Sequence, residues 1–216
     1  GNRFENMTDF VFPANLANIS TSKGVLSGCK KLTKITFPIA YCDISHPESF
    51  LANSTFVNGL ELPYTLNFVP MVSVDGQTGI EEIKQNEILK GSHVVGNLNI
   101  KAATTNKCVV YVNKETTSLV IYPATVQGRF YLMGKGIDGD LSGLQTIQIG
   151  RSTNINDTDG FASNTSANIN LSLDFQSGNC TTKIPKNAFN GYSGNTINVV
   201  IYGNVTDSNG ITLESG

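Results

Sequence analysis

The chain has 216 residues and a formal net charge of −2, and only 15% of its residues are charged. Soluble proteins usually have about a quarter of their residues charged, and here Asn, Ser, Thr and Gly take the place of the charged residues. These residues solvate a surface and form turns. The composition argues against nucleic-acid binding, because the densest basic group is Lys30, Lys31 and Lys34. It also argues against a membrane protein, because no apolar run approaches the roughly 18 residues of a membrane span. We therefore predict one all-β domain over residues 1–216.

Alternation of apolar and polar residues runs through most of the chain. The clearest example is Asn168–Phe175, where the odd positions are apolar and the even positions are polar. This alternation predicts a strand with one buried face and one solvated face. Further strands are predicted, in chain order, at Ile35–Tyr41, Thr65–Val74, Gly96–Ala102, Cys108–Val112, Ser118–Tyr122, Val126–Met133, Leu144–Ile149 and Asn195–Tyr202.

One segment interrupts the alternation. In Gly79–Gly91, isoleucines recur at helical spacing and Lys90 precedes a glycine that suits a helix C-cap. A short helix is the prediction here, and a hairpin is the alternative. Elsewhere turn sequences such as Asp75-Gly76 separate short strands, which is typical of a sandwich or a barrel. No internal repeat is visible in the sequence.

The four cysteines are Cys29, Cys42, Cys108 and Cys180. They are widely spaced and form no Cys-x-x-Cys pair, so a zinc site is a poor interpretation. An even number of separated cysteines in a chain of low charge favours two disulfides in an oxidising compartment. Three connectivities are open, and we favour Cys29–Cys42 with Cys108–Cys180.

The sequence offers little support for catalysis. It contains only two histidines, His46 and His93, and no serine lies in a nucleophile elbow. Gly134–Gly139 matches a phosphate-loop spacing, but no helix is predicted after it. The expectation is a binding protein with no catalytic residue, no metal and no cofactor.

The loop between the strands around Ile149 and Asn168 is rich in short carboxylate and amide side chains. Asn154, Asp157 and Asp159 are its candidate ligand-binding residues, since such groups pair with the hydroxyls of a sugar. Calcium binding is an alternative, although the bidentate Glu of an EF-hand is missing. A solvated loop without a ligand is the other alternative.

Three more residues complete the predicted site. Asp43 and His46 follow Cys42 in a loop, and Tyr192 is the aromatic candidate for stacking on a ligand. A tyrosine that packs over a hairpin end is the competing interpretation of Tyr192. Because loops gather at the ends of a sandwich and carry binding residues, we predict a shallow polar patch at one end.

Two segments resemble a known family. Ile39–Ser49 is a strand that ends in Cys, followed by four residues and Pro-Glu-Ser, and Val199–Asn204 is similar to a closing strand before a linker. Both resemble the N-terminal receptor-binding domain of two-domain chaperone–usher fimbrial tip adhesins. The resemblance implies an elongated β-sandwich of immunoglobulin-like topology with a carbohydrate site at its tip. Ala52 stands where that family's mannose binder has an acidic pocket residue, so mannose specificity does not carry over.

Two functional hypotheses follow. The first is an adhesin domain at the fimbrial tip of a Gram-negative bacterium, which binds a host-cell glycan or glycoprotein. In that case Leu213–Gly216 begins a linker to a C-terminal pilin domain that contacts other pilus subunits. The second is a structural pilin or surface subunit that binds protein rather than glycan. Nucleic acid and membrane are not expected partners in either case.

Overall fold

The computed structural model describes residues 4–20, 24–69, 72–74, 81–83, 86–104, 107–123, 130–150, 153–155, 165–174, 189–194 and 196–202. Within these ranges every regular element is a β-strand. No helix in them has the length and apolarity needed to cross a membrane. The protein is therefore all-β throughout its described part, in keeping with the alternation in the sequence.

The strands are short and numerous. The first ten, in chain order, are β1 (Asp9–Val11), β2 (Asn18–Ser20), β3 (Lys34–Thr36), β4 (Cys42–Ser45), β5 (Thr55–Phe56), β6 (Leu60–Leu62), β7 (Leu66–Val69), β8 (Val72–Val74), β9 (Glu81–Ile83) and β10 (Asn86–Ile88). The others are β11 (His93–Val94), β12 (Gly96–Ile100), β13 (Ala103–Thr104), β14 (Lys107–Val112), β15 (Thr116–Ile121), β16 (Phe130–Gly139), β17 (Thr146–Gly150), β18 (Thr153–Ile155), β19 (Asn168–Asp174) and β20 (Ile197–Tyr202).

Strands that follow one another in the chain mostly belong to different sheets. One sheet has the order β20-β19-β17-β15-β12-β6, a second β10-β14-β16-β18, and a third β13-β7-β4-β2. Pairing is parallel in all of them, and among the described strands the β8–β9 hairpin is the antiparallel exception. In register, Asn18 pairs with Asp43 and Asp43 pairs with Asn67. One coil thus takes roughly 25 residues, within the period of known solenoids.

This arrangement is a parallel β-solenoid, so the predicted immunoglobulin-like sandwich is wrong. Both folds place alternate side chains inside and both interrupt their strands with turns. They differ in whether a strand pairs with its chain neighbour or with the strand one coil later. Turn residues do not distinguish a hairpin from a solenoid corner, and unequal coil lengths hide the repeat.

Stacked aliphatic side chains form the core of the six-stranded sheet. In one inward column Leu60, Leu98, Leu119, Ile147 and Ile169 follow one another in register. Leu62, Ile100, Ile121, Ile149 and Leu171 form the second column in the same way. All ten side chains are buried. Each contributes about 1.5–3 kcal/mol through removal of apolar surface from water.

The predicted helix in Gly79–Gly91 is also wrong. Glu81–Ile83 pairs with Val72–Val74 as a hairpin, which was the alternative interpretation. Asn86–Ile88 pairs with β14. In this second strand Asn86 and Ile88 are buried and Glu87 is half-buried, which is the period of a strand. Pairing with β14 therefore overrides the local helical spacing of the isoleucines.

Neither predicted disulfide is present among the described residues. Cys29, Cys42 and Cys108 are free, buried thiols, and Cys180 lies outside the described residues. Cys42 pairs in register with Leu66, Cys108 lies between Asn86 and Leu132, and all three thiols belong to the hydrophobic core. Each thiol therefore fills a core position as a small apolar side chain. Burial raises the pKa of all three thiols.

Candidate functional site: a groove between the first coils

A groove lies between two successive coils that contact each other through hydrogen bonds at both ends but not in the middle. At one end Leu32 forms a parallel bridge with Phe56. At the other end the buried hydroxyl of Thr65 donates a 2.8 Å hydrogen bond to the carbonyl of Pro38. Between these points β3 pairs with β1 and β6 pairs with β12, so β3 and β6 do not pair with each other. The groove is the space between their edges.

The peptide groups of β3 show why this edge is open. Alternate residues of a parallel strand bond to opposite neighbours. The N–H of Lys34 donates to Thr8 and the carbonyl of Thr36 accepts from Phe12, so both of these residues bond toward β1. The intervening peptide groups of Ile35 therefore face the opposite side, toward the groove.

Aromatic packing holds one wall of the groove in place. Phe37 lines the groove, and its ring stacks on Phe12 with centroids 5.8 Å apart and planes 13° apart. Phe50 packs against both rings at 6.2 and 6.5 Å. Phe12 and Phe50 are buried in the core, so Phe37 offers a fixed apolar surface. Such aromatic pairs contribute about 0.5–1.5 kcal/mol beyond their burial.

Polar side chains supply the rest of the lining. The groove has a volume of about 330 Å³ and is lined by Leu32, Thr33, Lys34, Ile35, Phe37, Phe56, Asn58, Gly59, Leu60, Glu61, Asn97 and Asn99. Asn58 and Asn97 are exposed, and Asn99 is half-buried on β12. Glu61 pairs with Lys101 at 2.9 Å, an exposed ion pair that contributes little to stability.

An adjoining hollow of about 360 Å³ extends the groove past Pro38 and shares Ile35, Phe37 and Glu61 with it. Its lining is more apolar. Ile39 is 76% exposed and Tyr64 is 59% exposed, so both side chains present apolar surface at this hollow. The groove and this adjoining hollow together form a continuous amphipathic surface along the edge of β6.

The groove can bind a ligand through uncharged hydrogen bonds and apolar contact. An asparagine amide both donates and accepts, so three of them can follow the alternating donors and acceptors of a hydroxylated or amide-bearing chain. The ring of Tyr64 and the wall of Phe37 and Ile35 suit the apolar face of such a ligand. In the described part of the chain no group of three His, Cys, Asp or Glu side chains forms a metal site.

Two of the predicted site residues lie in β4, a strand of another sheet, or directly after it. Asp43 is a half-buried residue of β4 and accepts a 2.8 Å hydrogen bond from the amide of Asn67. Burial raises the pKa of the neighbouring Tyr41, and the Asp43 carboxylate raises it further. His46 adopts a left-handed φ of 64° directly after β4, and its Nδ1 lies 3.1 Å from Glu48. Neither residue lines the groove.

The remaining predicted residues belong to later coils. Tyr192 packs against the core, and its hydroxyl lies within hydrogen-bond distance of the carbonyl oxygens of Ala167, at 2.8 Å, and Thr196, at 2.9 Å. These contacts are those of a packed tyrosine. Asn154 lies in β18, where the structure describes the backbone only, and Asp157 and Asp159 lie outside the described residues. The structure does not bring Tyr192 together with Asp43 and His46.

The groove residues were missed because strand pairing, not sequence distance, brings them together. Asn97 and Asn99 alternate with Leu98 and Ile100, so the sequence alone indicates that they face outward. Their partner strand β6 is separated from them by the β8–β9 hairpin, and no pattern predicts that pairing. The one further indication of the groove was Tyr64, which follows a proline and is exposed.

No protein family, curated protein or solved structure matches the chain. The two segments that resemble chaperone–usher adhesins overlap the solenoid strands Cys42–Ser45 and Ile197–Tyr202, and the end of the second segment lies outside the described residues. The fold that this resemblance implies is therefore wrong. Membership of the family, a fimbrial location and a host-cell receptor stay predictions.

Proposed function

We propose that the protein is an extracellular adhesion domain that binds carbohydrate in the groove and does not transform it. The observation that carries the proposal is the joint lining of one groove by the amides of Asn58, Asn97 and Asn99 and by the apolar wall of Ile35 and Phe37. Sugars present hydroxyls at their rims and C–H groups on their faces, and this lining matches both.

The magnitudes favour weak binding at each site. A neutral hydrogen bond contributes about 0.5–1.5 kcal/mol net, so three amides and one apolar contact give a dissociation constant near the millimolar range. An affinity of that order suits adhesion, in which many copies act together on one surface. It does not suit a soluble receptor for a scarce small molecule.

The charges near the groove support binding rather than hydrolysis. Glycoside hydrolysis uses two carboxyl groups across the scissile bond. Among the residues that line the groove and its adjoining hollow, Glu61 is the one carboxylate, and it is paired with Lys101. An ion-paired, exposed carboxylate without a second carboxylate beside it offers no acid–base pair.

A protein segment is the second candidate ligand. The unpaired edges of β3 and β6 support it, because an extended peptide adds to an open strand edge through its own backbone. The exposure of Ile39 and Tyr64 also suits apolar side chains of a partner. Main-chain pairing of this kind does not depend on the asparagine amides, so substitution of those amides separates the two candidates.

A glycan array with the full chain, followed by titration of the best hit, tests the proposal. Asn58→Ala with Asn97→Ala should weaken binding about tenfold, by the loss of two amide contacts. Asn15→Ala, an exposed asparagine outside the groove, is the matched control and should bind as the wild type does. Glycan binding that is unchanged in the double variant, or absent at millimolar concentration, refutes the proposal.

A further inference from the structure

The outward face of the six-stranded sheet carries columns of polar side chains that run along the solenoid. We name it the amide face. Its central column in register is Glu61, Asn99, Val120, Gln148, Asn170 and Asn198. A second column is Asn97, Ser118, Thr146 and Asn168. Asn97 and Asn99 also line the groove, so the amide face begins where the groove ends.

Among the described side chains of this face, the charged ones lie on its first strands, and Asp174 ends β19. Glu61 and Lys101 neutralise each other at 2.9 Å beside the groove. From β15 onward the described outward side chains are amides, hydroxyls and small apolar groups, including Ser118, Gln148 and Asn170. An uncharged surface gives no electrostatic advantage to a polyanion or a polycation, and it avoids the desolvation cost of burying an unpaired ion.

Neighbouring polar side chains hold each other in fixed positions. The Nδ2 of Asn198 donates a 2.9 Å hydrogen bond to the Oδ1 of Asn170. The hydroxyl of Thr146 donates to that of Ser118 at 3.2 Å. By contrast, the amide of Gln148 has no hydrogen-bond partner among the described residues and stays available to a ligand. The side chains of Asn170, Asn198, Ser118 and Thr146 are thus held in place by each other, so a ligand that contacts them immobilises little that was mobile.

An aromatic ring lies on the same face. A Cβ at Gly150 would lie 2.7 Å from Cε2 of Tyr122 and 2.8 Å from the Cβ of Ser172. Only a residue without a side chain leaves that space, so Gly150 allows the half-buried ring of Tyr122 to lie across the sheet beside Ser172. The ring places an apolar group on the amide face between rows of hydrogen-bonding groups.

We infer that the amide face extends the groove into a binding track for a linear, uncharged polysaccharide. This inference rests on the proposed function and specifies its ligand class. Adjacent strands lie about 4.8 Å apart, so the six strands present their columns over roughly 24 Å. That length accommodates several sugar units in a row, each within reach of an amide or a hydroxyl.

Titration with short and long neutral glycans tests the track. The probes are glucan, mannan and galactan, each as a disaccharide and as a polymer, with polygalacturonate as the charged comparison. Gln148→Ala with Asn170→Ala should weaken polymer binding about tenfold and leave disaccharide binding unchanged. Asn18→Ala, on an exposed position of another sheet, is the matched control. Gln148→Glu should also weaken binding of the neutral polymer, because binding would bury an unpaired charge.

The possible results separate the track from the groove. One result would refute the track and leave the proposed function in place. In that result disaccharide binding depends on Asn97, but the polymer binds no more tightly than the disaccharide, or its affinity is unchanged by the Gln148 and Asn170 substitutions. Tighter binding of polygalacturonate than of every neutral polymer also refutes the track. Failure of all probes to bind at millimolar concentration refutes both proposals.

Discussion

The six-stranded sheet and the groove beside it are built from the same kind of short strand, yet they differ in regularity. Each of β12, β15, β17 and β19 repeats its sheet neighbour in register, with aliphatic side chains inside and mostly uncharged polar ones outside. Between β3 and β6 that repetition stops, and aromatic, apolar, charged and amide side chains meet in one groove. The stacked coils thus provide stability, and the interruption provides a surface of varied chemistry.

The two regions should therefore respond differently to substitution. Stability in a solenoid is approximately a sum of coil and neighbour contributions. A change within the aliphatic columns removes contacts to the coils on both sides. A change in the groove removes contacts to solvent or ligand and should alter binding with little effect on unfolding. Substitutions in each region therefore test this division.

The aliphatic column should be the most sensitive part of the molecule. Ile147 is fully buried between Leu119 and Ile169, so Ile147→Ala should lower the free energy of unfolding by about 2–5 kcal/mol. Val199, at the end of the second column, is 48% exposed, and Val199→Ala should cost less than about 1 kcal/mol. Urea denaturation followed by circular dichroism measures both, and equal losses would contradict the columnar account.

Substitution of two glycines distinguishes the cost of a steric clash from the cost of an unfavourable backbone φ. A Cβ at Gly143 would clash with the backbone carbonyl oxygens of Lys114 and Thr116, whereas Gly96 has open space around it and a φ of 88°. Gly143→Ala should therefore cost about 1–3 kcal/mol through overpacking. Gly96→Ala should cost roughly 1 kcal/mol through φ alone. Thermal unfolding that ranks Gly96→Ala as the more harmful change would show that the coils have room to move apart.

Several strands of this protein were predictable from the sequence, but their pairing was not. The alternation at Asn168–Phe175 and Gly96–Ala102 predicted β12 and β19 well, because inside and outside alternate in any sheet. The pairing partner of each strand was not predictable, since β6 and β12 pair across the intervening hairpin. The sandwich, the disulfides and the position of the groove all depended on that pairing.

Individual residues make the same point. Tyr192 was the aromatic candidate for stacking on a ligand, with a packed tyrosine as the competing interpretation, and its hydroxyl lies within hydrogen-bond distance of the carbonyl oxygens of Ala167 and Thr196. Asn97 looked like an ordinary solvated strand residue, yet it lines the groove. Side-chain type indicates what a residue is able to bind, and only the coil-to-coil register decides which residues meet.

Alkaline pH should weaken the core through its thiols. Burial raises the pKa of Cys108 strongly, and those of Cys29 and Cys42 as well, above the ordinary value of 9.0. The unfolded chain therefore loses thiol protons first, and stability falls as pH rises above about 9, by at most about 1.4 kcal/mol per pH unit for each group. The raised pKa values of Tyr41 and Tyr111 act in the same direction at higher pH.

Cys108→Ala isolates the largest of these contributions. Its free energy of unfolding should decline less steeply between about pH 9 and pH 11 than that of the wild type, whatever its stability at neutral pH. Urea titrations at a series of pH values give the two slopes. Identical slopes would mean that Cys108 is not buried as a neutral thiol, and would reopen the question of a disulfide to Cys180.

The smallest predicted effect on stability comes from the second sheet, β10-β14-β16-β18, where charged side chains lie close together. Tyr111 donates a 3.0 Å hydrogen bond to Glu87, and the Nζ of Lys90 lies 5.6 Å from the centre of its ring. Tyr111→Phe removes the hydrogen bond and keeps the ring, so it should lower the free energy of unfolding by about 0.5–1.5 kcal/mol. Tyr64→Phe, in the exposed part of the groove, is the matched control and should leave stability unchanged.

Salt dependence then separates this cluster from the amide face. Lys90 and Glu87 form a 3.1 Å ion pair on a partly exposed surface, and 1 M salt shortens the Debye length to about 3 Å. The stability difference between wild type and Tyr111→Phe should therefore shrink at high salt, because the hydrogen bond ends on a carboxylate. Glycan binding by the amide face involves no charge and should keep its affinity in the same buffer. If salt weakens glycan binding instead, charged groups at the groove, Lys34 or the Glu61–Lys101 pair, contribute more to recognition than the amides do.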